Sequence, residues 1–266
     1  MNGVRSRTPV HVFDSPQSIG EHLAEYLLRQ IGDARAAGRP FLLGCPTGRT
    51  PRPVYDAMEA RLARTRQDMN HVVLVMMDEY LESAGNGFGY ASSAATWSCH
   101  RFVRAEILDK WNRTLPAKQQ LSADSVWFPE PGDPAGYDRR IDEAGGIDFF
   151  LLASGASDGH VAFNPPGSRR NSQTRIIELS DSTRRDNLQT FPAFGSLAAV
   201  PTHGISVGID TIASAKEAAM VLWGEGKAIS LGRIADAAQY DPAWPATVIH
   251  ECSRGEILAD MAAARR

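Results

Sequence analysis

The chain has 266 residues, 43% of them hydrophobic and 22% charged, and a formal net charge of −3. This composition is that of an ordinary globular protein. It lacks the basic excess of general nucleic-acid binders, so no nucleic-acid partner is expected. The three cysteines are far apart and form no CxxC pair, which argues against a disulfide framework or a zinc site. Neither a signal peptide nor a run of ~18 apolar residues is recognisable, and we expect a cytoplasmic protein without a membrane partner.

Hydrophobic periodicity predicts helices and strands in alternation. Residues 17–37 have near-helical apolar spacing, and Gly38 is the stop signal. A short buried strand at residues 41–43 precedes a helix at 50–64. Unbroken apolar runs predict further strands, the last followed by a helix from Lys227: residues 72–77, 147–153, 205–208 and 218–223. The Gly-, Ala- and Ser-rich residues 82–95 are interpreted as a loop or lid.

Strands that are apolar on both faces and alternate with helices indicate an α/β protein. We predict a Rossmann-like three-layer fold, with a central, mainly parallel sheet and helices on both faces, formed by residues 1–266 as one domain. In such folds ligands bind beyond the carboxyl ends of the strands. Polar clusters follow four of the predicted strands and could converge in one crevice: Thr47-Gly48, Asp78-Glu79, Asp158-Gly159-His160 and Lys227.

Two of these clusters suit an anion. The segment GCPTGRTP lies between a strand and a helix, where glycine permits close approach and the helix N-terminus offers free N–H groups. Thr47, Gly48, Arg49 and Thr50 are therefore candidate phosphate-binding residues, with Lys227 reaching the same sheet edge. An ordinary tight turn and a solvated surface lysine are the alternatives. The segment matches neither a P-loop nor GxGxxG, so nucleotide binding has no support.

The other two clusters suit proton transfer. Two adjacent carboxylates cannot both point inward, so one of Asp78 and Glu79 is a candidate base and the other a structural residue. Asp158 can orient His160 across the turn at Gly159. Taken alone, a capping Asp78 and a structural His160 are the more frequent arrangements. The following Asn164, in the segment AFNPPG, extends this candidate site.

Taken together, these segments resemble the glucosamine-6-phosphate deaminase/isomerase family, which is grouped with 6-phosphogluconolactonase. The similarity runs from about residue 41 to residue 259 in family order. It is carried by the segments LGCPTGRTP, VMMDEY, IDFFLLASGASDGHVAFNPPGS, QTRI, PTHGISVGIDTI and LWGEGKAISL.

The resemblance implies a mechanism without a metal or an organic cofactor. The substrate would be a sugar phosphate, with its phosphate at Thr47-Gly48 and Lys227. His160, beside Asp158, would assist ring opening, and Asp78 would move a proton between C2 and C1. In the deaminases ammonia then leaves from C2. The resemblance leaves open whether the protein is a monomer or a homo-oligomer.

Three departures from the family pattern accompany the resemblance. Pro165 stands where the deaminases have a glutamate that completes the network of His160 and Asp158. An arginine that grips the phosphate would fall near Gln189, and Arg49 replaces a small residue and could supply the missing cation. We therefore predict weak or absent deamination of glucosamine 6-phosphate, with isomerisation of another sugar phosphate retained.

Two other functions fit the same segments. One is a lactonase-like hydrolase, in which the Asp-Gly-His region serves attack by water on an ester. The other is a non-catalytic sugar-phosphate-binding module. The segments MDEY and AFN favour the isomerase.

Overall fold

The computed structural model describes residues 8–265. Their strands are β1 Val10–Phe13, β2 Phe41–Cys45, β3 Val72–Met76, β4 Asp78–Ala84, β5 Gly87–Tyr90, β6 Val126–Trp127, β7 Phe149–Ala153, β8 Arg175–Glu178, β9 His203–Ser206, β10 Glu217–Leu222 and β11 Gly255–Asp260. Their α-helices are α1 Pro16–Ala36, α2 Arg52–Thr65, α3 Cys99–Val103, α4 Asp109–Arg113, α5 Pro134–Glu143, α6 Asp181–Thr190, α7 Ile209–Ala213, α8 Ala228–Asp236 and α9 Met261–Ala264. None of these helices has the length and apolarity needed to cross a membrane.

Seven strands form the central sheet in the order β1-β11-β10-β7-β2-β3-β6, and every neighbouring pair is parallel. Successive residues of β2 point to opposite faces, so Leu43 joins a core cluster with α1 and α2, whereas Leu42 joins one with α5, α7 and α8. Helices therefore cover both faces of the sheet. The predicted α/β class and three-layer arrangement are confirmed.

Local signals explain where α1 begins and ends. Ser15 caps the helix by accepting a hydrogen bond from the backbone N–H of Ser18 at 3.1 Å. Just past the helix, Gly38 has φ +67°, a left-handed conformation that glycine adopts without strain. The apolar stripe of the helix is fully buried, and each such side chain contributes about 1.5–3 kcal/mol.

A second sheet corrects two predictions. Its strands run antiparallel in the order β5-β4-β9-β8. The predicted strand at residues 205–208 is β9 of this sheet and does not belong to the parallel one. Much of the predicted loop at 82–95 forms the β4–β5 hairpin, in which Glu82 pairs with Gly89. Residues 82–87 are exposed, so the hairpin shows no apolar pattern and is held by its backbone ladder.

The chain changes sheets immediately after β3. The predicted strand at 72–77 ends at Met76, and Asp78 already belongs to β4 of the antiparallel sheet. The backbone carbonyl of Met77 accepts a hydrogen bond from Val207 N–H at 2.8 Å. Asp78 and Glu79 are thus strand residues whose side chains point to opposite sides, and they do not lie in a loop.

Candidate active site

A polar cavity lies where the strand order reverses. The chain adds strands outward from β2 through β3 to β6, then returns to place β7 on the other side of β2. At such a switch point the flanking loops diverge and leave a crevice at the carboxyl ends of the strands. A cavity of about 390 Å³ opens there, lined by residues that follow β2, β7 and β10. The four predicted polar clusters follow β2, β3, β7 and β10, which are neighbours in the sheet.

The loop after β2 has the features of an anion site. Thr47, Gly48, Arg49 and Thr50 all line the cavity. Gly48 has φ +89°, and within residues 8–265 the backbone N–H groups of residues 48–50 have no protein acceptor. Trp223 Nε1 donates to the Thr50 carbonyl at 2.9 Å, which fixes the loop against the end of β10. Unpaired N–H groups ahead of a helix are suited to phosphate oxygens.

Lys227 reaches the same cavity from the opposite side of β7. It lies in the 3₁₀ turn Glu225–Lys227 between β10 and α8, and its Nζ donates to the Ser154 carbonyl at the end of β7. Burial lowers the pKa of Lys227, while the carboxylate of Asp186 raises it and the charge of Arg49 lowers it further. The cavity thus holds two cationic side chains, with Arg49 the more exposed.

Asp78 lines the cavity but exposes little of its surface. Its side chain is 5% exposed. Burial raises its pKa to about 7; the hydrogen bond from Cys99 lowers it and the charge of Glu79 raises it. That hydrogen bond is weak, because Cys99 Sγ lies 3.5 Å from Asp78 Oδ1. Cys99 Sγ also forms a hydrogen bond with Thr47 Oγ1 at 3.4 Å. A carboxyl group that titrates near neutrality is suited to take up and return a proton.

Glu79 does not line the cavity. It is fully buried and accepts hydrogen bonds from Ser98 Oγ at 2.9 Å, Cys99 N–H at 3.0 Å and His100 Nδ1 at 2.7 Å. These contacts tie β4 to the start of α3, which gives Glu79 a structural role. Because its acceptors are occupied, Glu79 is not free to replace a missing carboxylate in the cavity.

His160 and Asp158 form a close pair after β7. His160 Nδ1 donates to Asp158 Oδ1 at 2.7 Å, and His160 lines the cavity whereas Asp158 lies behind it. Ser182 Oγ and Thr183 Oγ1 donate to the other oxygen of Asp158 at 2.6 and 3.4 Å. Partial burial raises the pKa of Asp158, but the hydrogen bonds and charge of His160 and the Ser182 bond outweigh it and hold the pKa below its usual range. Asp158 therefore orients the imidazole.

Two glycines make this arrangement possible. A Cβ on Gly155 would lie 2.2 Å from His160 Nδ1, so only glycine leaves room for the ring. Gly159 has φ +66°, and a Cβ there would lie 2.3 Å from the Trp244 ring. Gly159 is thus a turn residue without a contact to the cavity.

Asn164 and Pro165 lie outside the cavity lining. Asn164 is fully buried and donates to the carbonyls of Val161 at 3.0 Å and Val207 at 2.8 Å, so it holds the segment after β7 against β9. Pro165 is half-buried, and its carbonyl accepts hydrogen bonds from Ser168.

Helix α6 contributes residues that the sequence did not reveal, apart from Gln189, which the resemblance placed near the phosphate and which does line the cavity. Four of its residues line the cavity: Asp186, Asn187, Gln189 and Thr190. The helix has one fully buried residue, Thr183. It carries no apolar stripe, so its sequence resembles that of a solvent-exposed segment. The polar face formed by Thr183, Asp186, Asn187 and Thr190 has helical spacing and is the signal that could have located it.

Three side chains of the site form a candidate ligand set. One ligand atom each of Asp158, His160 and Asp186 lie within 4.8 Å of one another, an arrangement that could hold a metal ion. The sequence showed no such set, because Asp186 is contributed by α6. Asp158 is already engaged by His160 and Ser182.

Known proteins share this fold and these segments. Residues 14–259 match the family described as Glucosamine-6-phosphate isomerases/6-phosphogluconolactonase. The glucosamine-6-phosphate isomerase of Candida albicans is 31% identical over 254 residues, which cover 95% of this chain and 96% of that protein. The chain belongs to this family. A glucosamine-6-phosphate deaminase of Beutenbergia cavernae is 33% identical over 231 residues, covering 85% of this chain and 81% of that protein. The resemblance drawn from the sequence is confirmed.

Solved structures from both branches of the family are similar to this chain in fold. A monomeric glucosamine-6-phosphate deaminase matches with a TM-score of 0.80 at 24% identity, covering 96% of this chain and 98% of that one. The 6-phosphogluconolactonase of Trypanosoma cruzi matches with a TM-score of 0.69 at 16% identity, covering 99% of this chain and 98% of that one. At these identities the similarity concerns the fold alone.

Proposed function

We propose that this protein is an aldose–ketose isomerase of a phosphorylated amino sugar, with release of ammonia as a further step. The observation that carries the proposal is Asp78, a buried carboxyl group with a pKa of about 7 that faces a cavity of about 390 Å³. The same cavity holds the His160–Asp158 pair and a loop with unpaired N–H groups. Family membership and the curated deaminase relatives support the assignment.

Each group has one task in this scheme. The loop at residues 47–50 and Lys227 bind the phosphate, and His160, oriented by Asp158, moves the proton needed to open the sugar ring. The carboxylate of Asp78 takes the proton from C2 and returns it to C1, which converts the open-chain 2-amino aldose into a 2-imino sugar. Addition of water at C2 then releases ammonia and leaves the ketose phosphate. Imine formation also moves one proton from the amino nitrogen to O1, a transfer that passes through solvent.

Ammonia release is the step in which we expect this chain to be slow. Pro165 has no side-chain acceptor, and Glu79 is held by Ser98, Cys99 and His100. General acid–base assistance is typically worth about 10²–10⁴ in rate. We therefore expect a turnover number for ammonia release well below the enzyme median of about 10 s⁻¹. A turnover number near that median contradicts this expectation. A Pro165→Glu variant is expected to gain ammonia release.

The decisive experiment offers three substrates to the same preparation: glucosamine 6-phosphate, fructose 6-phosphate and 6-phosphogluconolactone. Solvent deuterium entering C1 or C2 of the sugar phosphates, followed by NMR, supports the isomerase. Hydrolysis of the lactone without such exchange identifies a lactonase instead. Ligand-induced stabilisation without any turnover identifies a binding module, since a ligand at ~100 times its dissociation constant adds about 2.7 kcal/mol.

A further inference from the structure

Asp186 is a cavity carboxylate to which the scheme above gives no task. It lies on α6, lines the cavity and is half-buried. Among the residues that the structure describes, its carboxylate accepts hydrogen bonds from Ser157 Oγ alone, at 3.2 and 3.3 Å. An ionised carboxylate has about four acceptor positions. Asp186 therefore keeps acceptor capacity for a ligand.

The other two carboxylates of the site are less suited to hold a cation. Asp158 accepts hydrogen bonds from His160, Ser182 and Thr183 and lies behind the imidazole. Asp78 has a pKa of about 7 because it is buried, so near neutral pH it is a poor anchor for a cation. Asp186 is the carboxylate of the cavity that remains open to a cationic group of a ligand.

The cationic residues of the cavity do not neutralise Asp186 by contact. Lys227 is close enough for Asp186 to influence its pKa, yet its Nζ donates to the Ser154 carbonyl. Within residues 8–265, no lysine or arginine nitrogen lies within 4.0 Å of the Asp186 carboxylate. The cavity thus presents separate positive and negative groups. An amino sugar phosphate has the complementary charges, a phosphate and an ammonium group.

We propose that Asp186 binds the ammonium group of an amino sugar phosphate and so selects this ligand over the corresponding neutral sugar phosphate. The inference rests on the proposed function and adds a specificity-determining residue to it. An ammonium group offers three donors and a positive charge, whereas a hydroxyl offers one donor. Hydrogen bonds between charged groups are roughly twice as strong as neutral ones. Asp186 determines which ligand is bound. The rate of ammonia release is a separate property of the site.

A matched pair of unreactive ligands tests the proposal: 2-amino-2-deoxyglucitol 6-phosphate and glucitol 6-phosphate. They differ in the amino group alone and cannot be isomerised, because neither has a carbonyl group. Binding is measured by calorimetry at pH 6.5 with EDTA present. We expect the native protein to bind the amino ligand about tenfold more tightly. Asp186→Asn should bind the two ligands equally, with an unchanged Kd for glucitol 6-phosphate, and Asp186→Glu should retain the preference.

Asp181→Asn is the matched control, because Asp181 lies on the same helix, is exposed and is outside the cavity lining. It should keep the native preference, and its melting temperature serves as the folding reference for Asp186→Asn. Equal binding of both ligands by the native protein, or a preference that survives in Asp186→Asn, overturns the inference and leaves the proposed function standing. Absence of binding for both ligands, in EDTA and also with added Mn²⁺ or Zn²⁺, overturns the proposed function as well. Binding that is lost in EDTA and returns with Mn²⁺ or Zn²⁺ makes Asp158, His160 and Asp186 a metal site and overturns ammonium recognition.

Discussion

Asp78 and Asp158 both expose little surface, 5% and 9%, yet their pKa values move in opposite directions. Asp78 has a thiol donor at 3.5 Å and the charge of Glu79 beside it. Asp158 has an imidazole donor at 2.7 Å, a hydroxyl donor at 2.6 Å and the backbone N–H of His160 at 3.1 Å. Burial favours the neutral acid in both, more completely in Asp78, and the stronger donors around Asp158 keep that carboxyl group ionised. The environment of Asp78 suits a base near neutral pH, and that of Asp158 suits a carboxylate that stays ionised.

The largest effect is expected from removing the base. Asp78→Asn should reduce deuterium exchange at C2 by about 10²–10⁴, because the amide cannot accept the proton. Phosphate binding should persist, since the loop at 47–50 is unchanged. Glu82→Gln is the matched control: Glu82 lies on the same strand but is exposed. Full exchange in Asp78→Asn would assign the base to another residue.

The opposite pKa shifts also predict opposite effects on stability. Asp78 has a pKa of about 7 in the folded protein against an ordinary value of 3.8, so the native state loses stability as pH rises from the lower to the higher value. At 1.36 kcal/mol per unit, the loss is at most about 4 kcal/mol by pH 8. The amide in Asp78→Asn does not titrate. The stability of this variant relative to the native protein should therefore increase from pH 4.5 to pH 8.

Asp158→Asn should behave in the other way. The folded-state pKa of Asp158 is lowered, so its contribution is present above the unfolded-state pKa and is lost only as pH falls through the folded-state value. This variant should be less stable than the native protein at both pH 4.5 and pH 8. Urea unfolding of the three proteins at the two pH values measures both effects. Equal pH dependence of the native protein and Asp78→Asn contradicts the raised pKa.

A smaller effect on turnover is expected when the orienting anion is removed. Asp158→Asn should lower kcat on the order of 10²-fold, the low end of general acid–base assistance, because an amide neither fixes the imidazole tautomer nor stabilises the imidazolium. Ser182→Ala removes one of the hydrogen bonds to Asp158 and should give a loss between those of the native protein and Asp158→Asn. If both variants turn over like the native enzyme, His160 does not depend on Asp158.

The smallest effect is expected on the side of the cavity that binds phosphate. Lys227→Met should weaken the binding of inorganic phosphate by about tenfold, the equivalent of 1.4 kcal/mol. Arg49→Met should weaken it as well. Lys118→Met is the control, because Lys118 is exposed, lies between α4 and β6 and is outside the cavity lining. Its carbonyl accepts a hydrogen bond from Asn70, at the end of β3 remote from the cavity. Crystals grown in sulfate should show the anion at residues 47–50. An empty loop, with Lys227 turned to solvent, contradicts this assignment.

The sequence predicted the features that depend on local patterns. The helix α1 with its Gly38 stop, the four neighbouring strands and the loop at 47–50 all follow from apolar runs and glycine positions. The parallel topology then brings Thr47, His160 and Lys227 to one sheet edge, so their convergence could be foreseen. Which of Asp78 and Glu79 faces the cavity could not, because the chain crosses to a second sheet after β3.

The features that sequence reasoning missed depend on tertiary contacts. Asp186 reaches the cavity because α6 packs its polar face against the His160 pair, and a helix without an apolar stripe gives no signal of burial. The β4–β5 hairpin is largely exposed, so its composition resembles that of a loop. Burial raises the pKa of Asp78, and His160 together with Ser182 lowers that of Asp158. The spacing of Asp158 and His160 along the chain indicates their contact, whereas the burial of Asp78 and the hydrogen bond from Ser182 in α6 depend on tertiary packing.

Trp223 gives the cavity an optical reporter. Its indole is half-buried, lines the cavity and donates to the carbonyl of Thr50 in the loop at residues 47–50. An anion on that loop changes the electric field and the hydration around the ring, so intrinsic fluorescence should respond to ligand binding. The chain has five tryptophans, and Trp223→Phe separates this emission from the other four. Titrations and stopped-flow measurements of ligand entry can therefore be made on the unlabelled protein.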